Sequence, residues 1–531
     1  MFNNLIESSS HAGEFKRRGS FVLFTTRRPG GLMAIPKVMG IETEYGITVK
    51  NQPDFNPILS SLLLINSYET YRSSRIRWDY EAESPLRDAR GFEYAEDKDV
   101  PSKEESRLIN LILSNGARFY VDHAHPEYSS PETTNPRDCV IWDRAGERIL
   151  DLARTRAEAV SPPEQRILIY KNNTDSKGNS YGTHENYLMD RKVPFARIVQ
   201  YLLPFFVSRQ VFTGAGKVGA ENNTEFCEFQ ISQRADFLET EVGLETMHSR
   251  PIINTRDEPH ADPEKYRRLH VIPGDANMSE VSNYLKCGTM AIVLSMIEDD
   301  FIDRDLSLDS PVISYRRVSR DLACRETMRL KDGRNLTAVD LQREFLDLAH
   351  RYYRDREHEP WVEDVMARWG SVLDRLARDP MSLDRELDWV IKRQLIENYR
   401  AKHSCEWSDS RVAMIDLQYH DIRPGKGLFY KLEESDAVER MTTEDEVTKA
   451  IYDPPKDTRA YFRGMCLQKY SDEVVSASWD SVIFDLKEGP LKKIFMLEPL
   501  RGTEAHVRQL FDESATAGEL LKNLGKPSGD F

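Results

Sequence analysis

Several signatures that would fix a function class early are missing. No stretch approaches the roughly 18 to 20 consecutive apolar residues that cross a bilayer, so no membrane-spanning helix is expected. The six cysteines (Cys139, Cys227, Cys287, Cys324, Cys405 and Cys466) lie far apart with no CxxC pair. That spacing argues against a disulfide framework, a zinc ribbon or a redox motif, and fits a reducing cytoplasm. No GxxxxGKS/T loop occurs, so a bound nucleotide is expected to lie on a sheet instead of in a P-loop. Positive charge is in deficit as well: 73 Lys and Arg stand against 88 Asp and Glu, a formal charge of −15. Polyphosphate backbones need a cationic surface, so nucleic acid is excluded as a partner, while a basic protein or peptide remains open. Internal repeats and low-complexity runs are absent.

What is present describes an ordinary globular protein: 40% hydrophobic, 10% aromatic and 30% charged residues over 531 positions. That length allows two to four units, or one enlarged α+β domain with a satellite. The first 32 residues carry Lys16, Arg17, Arg18, Arg27 and Arg28 but no apolar core followed by a cleavage site. They read as a disordered tail or as a start codon placed too early, with Met33 as the true start.

Period-2 alternation predicts strands over Val38–Ile47, Ala117–His123, Arg166–Asn172 and Thr183–Met189. Between the first two lies a polar excursion, Lys50–Lys103, long enough to be a functional loop, a lid or disorder. Helical periodicity predicts packing helices over Leu336–Tyr353 and Leu383–Tyr399. The Pro454–Pro455 pair reads as the hinge to a small C-terminal unit, 454–531.

The strand faces carry the chemistry. In Gly40–Gly46 the two-residue period puts Glu42 and Glu44 on one face and Ile41, Thr43 and Tyr45 on the other. Such a carboxylate pair is either solvated or neutralised by a cation, and oxygen ligands are what magnesium takes alongside phosphates. Arg118, Tyr120 and Asp122 share a second polar face, followed by His123–Glu127. His184 and Asn186 share a third, and Arg268 and His270 a fourth if that segment is extended. A guanidinium there can clamp phosphate oxygens while an imidazole binds a second metal. Singly, each face is more often a solvated side of an antiparallel sheet than a site.

At this point the motifs MGIETEYGI, NGARFYVDHAHPEY, YKNNTDSKGNSYGTHENYL, RPIINTRDEPHADPEKYRRLHVIPGDANMSE and RAYFRG resemble the pupylation enzymes of actinobacteria, from about Met33 to the C-terminus. That family comprises Pup ligases and Pup deamidases/depupylases. It is similar to glutamine synthetase in its catalytic domain, which implies an α+β fold: an antiparallel cradle backed by helices (33–453) with a small C-terminal domain. The resemblance implies Glu42, Tyr120 and Glu127 as magnesium ligands, with Glu44 beside them, and Asp122 as the catalytic aspartate. It places Arg118, Ser130 and Trp479 at ATP-contacting positions. It further sets His184 and His270, with Asn186 and Arg268, at second-metal and nucleotide positions.

Two features resemble the hydrolase branch: the segment Arg75–Glu93, within a loop around 72–104, and the stretch VDHAHPEY where the ligase typically reads LDVGSHPEY. SWDSVIFDL followed by LEPLRGT agrees with them. The implied activity is deamidation of the C-terminal glutamine of Pup and cleavage of Pup–lysine isopeptide bonds, linked to the bacterial proteasome, with Mg-ATP not consumed. The ATP-consuming ligase of the same family and a non-catalytic Pup-binding protein are the alternatives. The loop itself is expected to gate nucleotide or target and to be removable without unfolding the protein, its bland counterpart being a tolerated surface insertion.

Overall fold

A computed structural model describes residues 34–52, 54–68, 76–81, 83–92, 102–246, 249–487 and 489–525. The expectations for the first 32 residues and Met33, and the parts of the loop at 72–75 and 93–101, lie outside the described residues.

The chain begins its sheet with β1 (Met39–Glu44), where Met39, Ile41 and Thr43 are buried and Gly40, Glu42 and Glu44 face the other way. The expected single strand to Ile47 is broken. Tyr45 turns its ring wholly into the core, and the chain resumes as β2 (Gly46–Lys50), which pairs with β7 (Arg166–Tyr170) in a separate ribbon. Glycine is required at the break, because a Cβ on Gly46 would fall 2.4 Å from the Tyr181 hydroxyl.

A six-stranded antiparallel sheet forms the cradle. Its order is the strand Tyr266–Val271, β8 (Thr183–Asp190), β1, β6 (His125–Ser129), β5 (Arg118–Asp122) and β4 (Asn110–Ile112). Behind it lie α3 (Pro136–Val160), α4 (Phe195–Thr213) and α5 (Glu280–Glu298). Every residue of α5 is buried, which makes that helix the spine of the core. The helices Ala338–Tyr353 and Pro360–Arg378 pack into the same core. The second predicted packing helix starts later than expected, at Asp388, where a buried carboxylate accepts from Ser279 N–H and Asn277. Among the described residues no helix is long and apolar enough to cross a membrane.

The excursion after Lys50 is not simply polar loop. It opens with α1 (Pro57–Tyr68), which seats Leu64 and Ile65 in a cluster with Ala145 and Ile149 of α3, and it closes with α2 (Lys103–Ile109). Between them β3 (Arg77–Trp78) adds a fourth strand to the C-terminal sheet, running parallel to Val474–Ala477. Ile76 and Trp78 are core residues there, packed with Phe462, Val474 and Val482. Glu132, just after β6, binds Arg459 and Arg463 of the C-terminal part, and Arg463 also donates to the Gly116 carbonyl at 2.8 Å.

Candidate active site

Antiparallel register brings the four polar faces into rows. Glu44 lies opposite Glu127, and Glu127 opposite Tyr120. Glu42 lies opposite Ser129 on one side and His184 on the other, while Asn186 faces His270. The rows floor a cavity of about 1090 Å³ whose walls come from the loop, the turn at 174–182 and the segment 256–260.

Two groups of donors emerge on this floor. In one, carboxylate oxygens of Glu44, Asp122 and Glu127 lie within 4.8 Å of one another; in the other, Glu42 lies equally close to His184 and His270. The first is an all-oxygen set of the kind magnesium takes. The second offers a carboxylate and two imidazoles, which suit a divalent ion with more affinity for nitrogen. Both ring nitrogens of His270 are buried without a hydrogen-bond partner, which fits a ligand role. The site residues present therefore suit cations.

Electrostatics points the same way. Burial and the charges of Asp122, Glu42 and Glu44 push the Glu127 carboxyl well above its usual range, the strain expected of like charges crowded without a cation. Burial would also raise Glu42, but the hydrogen bond to His184 and the charges of His270 and Arg268 hold it well below the carboxylate range. Asp122 is opposed by burial and nonetheless lowered by its hydrogen bond to His123, whose Nδ1 stands 3.1 Å away. His123 reaches it from a left-handed backbone position, φ 51°. The Tyr120 phenol hydrogen-bonds with Glu127, and burial drives its own ionisation far up, so the group enters the acid cluster as a neutral donor.

The nucleotide-side expectations fall on the other half of the cavity. Arg118 is sandwiched between the Trp78 and Tyr120 rings at 4.0 and 3.9 Å, with Nε and Nη2 on Asn110 Oδ1 and Nη1 3.6 Å from Glu83. Trp479 meets Trp78 edge-on at 5.4 Å. Ser130 Oγ accepts from the Ile41 N–H at 2.9 Å and lines a small, largely apolar recess with Trp479 and Arg268. Arg268 donates to Asn186 Oδ1 at 2.7 Å, and Asn186 passes the contact to Glu42 at 2.9 Å. Eleven of the twelve residues singled out from the sequence line this cavity or its recess, and the twelfth, His270, is buried beside Glu42 and His184.

Sequence reasoning missed the loop's contribution of Trp78 and Glu83, whose partners are remote in the chain. It also missed Arg234 and Arg250, which lie outside the four polar faces. The loop is pinned a second time where Asp88 bridges to Arg256 and accepts from the Thr255 hydroxyl at 2.7 Å.

Comparison with known proteins places this sheet. Residues 37–483 match the model of the Pup-ligase protein family, and the chain belongs to that family. The depupylase of Acidothermus cellulolyticus is 55% identical over 498 residues, covering 92% of this chain and 99% of the relative. The Pup deamidase/depupylase of Mycolicibacterium smegmatis is 49% identical with the same coverage. Among solved structures, the complex between the prokaryotic ubiquitin-like protein Pup and its ligase PafA superposes with TM-score 0.76 at 33% identity, covering 90% of this chain and 91% of that one. The PafA ligase in complex with ADP superposes with TM-score 0.69 at 35% identity, over 76% and 89%. The α+β architecture, an antiparallel cradle backed by helices, is thus the expected one.

Proposed function

We propose that this chain is a hydrolase that deamidates the C-terminal glutamine of Pup and cleaves the isopeptide bond between Pup and substrate lysines. Mg-ATP would serve as a cofactor that is not consumed. The observation that carries this reading is the acid cluster of Glu44, Asp122 and Glu127 on the cradle floor of a chain about half identical, over 92% of its length, to proteins named depupylase and Pup deamidase/depupylase. The ADP complex of a ligase with the same fold supports a nucleotide on this sheet.

Glu44 and Glu127, with Glu42, His184 and His270, would hold the metal, and Arg118, Ser130, Asn186, Arg268 and Trp479 the nucleotide. When bound, the metal–nucleotide supplies positive charge beside the scissile carbonyl. Asp122 has two routes: it takes a proton from the attacking water and passes it to the leaving nitrogen, or it attacks the side-chain carbonyl of Pup directly, the C–N bond breaks with ammonia or the target lysine amine leaving as it gains a proton from water, and a second water opens the resulting anhydride. Both require an ionised carboxylate, which the hydrogen bond from His123 favours. Tyr120 donates to Glu127 and so orients one wall of the acid cluster. Trp78, stacked on Arg118, and Glu83 cover the Arg118 side of the cavity.

The test is to incubate the purified protein with Pup ending in glutamine, and separately with a pupylated protein, each with Mg-ATP. Mass spectrometry should register amide-to-acid conversion and release of the free target. Formation of new isopeptide bonds from Pup ending in glutamate would identify a ligase instead.

A further inference from the structure

The six cysteines are scattered along the chain, yet the fold brings two of them together behind the cradle. Cys139 lies early in α3 and Cys287 in the middle of α5, 148 residues later, and their Sγ atoms stand 3.7 Å apart. Both are free thiols, no more than 1% exposed, and neither lines the cavity or its recess. Among the described residues no other cysteine has a second thiol in reach. The two helices run antiparallel at this point. One turn further along α3 and one turn back along α5, Asn283 donates to Asp143 Oδ2 at 2.8 Å, and Arg144 then stands 3.4 Å from Glu280. Gly288 lets α5 come close, since a Cβ there would fall 2.5 Å from Val365 and 3.4 Å from Pro136, the first residue of α3. The thiols are thus one rung of a closely packed helix pair whose next rung is polar.

Sulfurs at 3.7 Å need side-chain rotation and a small approach to reach the bond length of about 2 Å in a disulfide. We propose that Cys139 and Cys287 are a reversible oxidation site, closing under a hydroperoxide into a disulfide that ties α3 to α5. In the first step one thiolate attacks the peroxide, the O–O bond breaks, and a sulfenic acid forms as hydroxide departs. In the second the other thiol attacks that sulfur, the S–O bond breaks, and the oxygen leaves as water. Two electrons pass from the sulfurs to the peroxide, and the thiol protons end on water. The neighbouring thiol and burial push the Cys139 thiol well above its ordinary range, so thiolate is scarce and closure is slow. A reducing environment therefore holds the pair as thiols, and sustained peroxide closes it. A sulfenic acid formed here meets its resolving thiol at once, whereas the more exposed Cys227, with only the Gly219 carbonyl beside its Sγ, oxidises onward. The bond would span 148 residues, a large constraint on the unfolded chain, so the oxidised form is the more stable one.

The test holds the purified full chain under hydrogen peroxide for hours, alkylates the remaining thiols after unfolding, and digests without reductant. Mass spectrometry should find the peptides of Cys139 and Cys287 joined, about 2 Da lighter than their sum, and separated again by a dithiol reductant. The melting temperature of the oxidised protein should stand about 3 °C or more above that of the reduced one. Cys227→Ser should keep both the cross-link and the shift, and Cys287→Ala should lose both. If Cys287→Ala does not fold, the peptide map of the wild type decides. Cys139 and Cys287 still open to alkylation after Cys227 is fully oxidised would overturn the site, and so would sulfinic acid at either position in place of the cross-link. A cross-link that leaves the melting temperature unchanged would overturn its role as a tether.

Discussion

Asp122 is separated from its neighbours by role more than by position. It sits within 4.8 Å of Glu44 and Glu127, yet its hydrogen bond is to His123 at the cavity mouth, not to the nucleotide-side residues. Asp122→Asn should therefore abolish deamidation and depupylation while nucleotide affinity stays within about threefold; turnover near the wild-type rate would take Asp122 out of the mechanism. Glu42→Ala and Glu127→Ala should do the converse and weaken Mg-nucleotide binding by about tenfold or more, since each removes an anionic oxygen from a cation site. Titration calorimetry with and without magnesium reads both effects. These residues were legible because a strand's two-residue period is local: Glu42 and Glu44 announce a shared face within five positions. Their division into two groups was not legible, since it arises from which strand lies on each side of β1. The same holds for Arg234 and Arg250, which reach the cavity from segments without a strand's alternation of polar and buried positions.

At the level of elements, the loop is where sequence and structure part most. Its charge suggested a removable gate, but Trp78 is 3% exposed in the C-terminal core, and β3 completes that sheet. A two-residue strand has no periodicity to detect, and its partner lies some 400 positions away in sequence. Helix α1 was detectable from the apolar spacing of PILSSLLLINSY and was hidden by the polar residues that follow it. Deleting 76–92 should therefore lower the melting temperature substantially, against the expectation of a dispensable insertion. Trp78→Ala alone should cost about 3 to 5 kcal/mol, the usual penalty for emptying a buried aromatic site, and should weaken nucleotide binding because Arg118 loses one of its two stacking partners. A melting temperature within a degree or two of wild type would show that the strand is only laid on the surface.

For the whole molecule, the question is what fastens the part after Pro455 to the cradle. Besides β3, the tie is Glu132, inserted between Arg459 and Arg463. Burial opposes its ionisation, but the charges of Arg463 and Arg459 hold the carboxyl down to about 2, against 4.5 in the unfolded chain. A group depressed on folding contributes stability that is complete above the unfolded value and fades as pH falls toward the folded one. The contribution should thus be full near pH 7 and lost between about pH 4.5 and 2. Glu132→Gln should cost about 3 to 5 kcal/mol near neutrality by leaving two buried guanidiniums unpaired, and the gap to wild type should close across that acid window. Denaturant titrations of both proteins at neutral and acid pH check it; a gap independent of pH would assign the cost to packing instead.

The central claim, hydrolysis on a nucleotide-bearing sheet without consumption of the nucleotide, is tested most directly by limiting the nucleotide. Purified protein is given Pup ending in glutamine in large excess over magnesium and ATP, and product is counted against the ATP that remains. The expected result is complete conversion of Pup to the glutamate form with ATP largely intact. Conversion that halts when an equal amount of ATP has been spent would contradict it and return the chain to the ligase chemistry of its relatives.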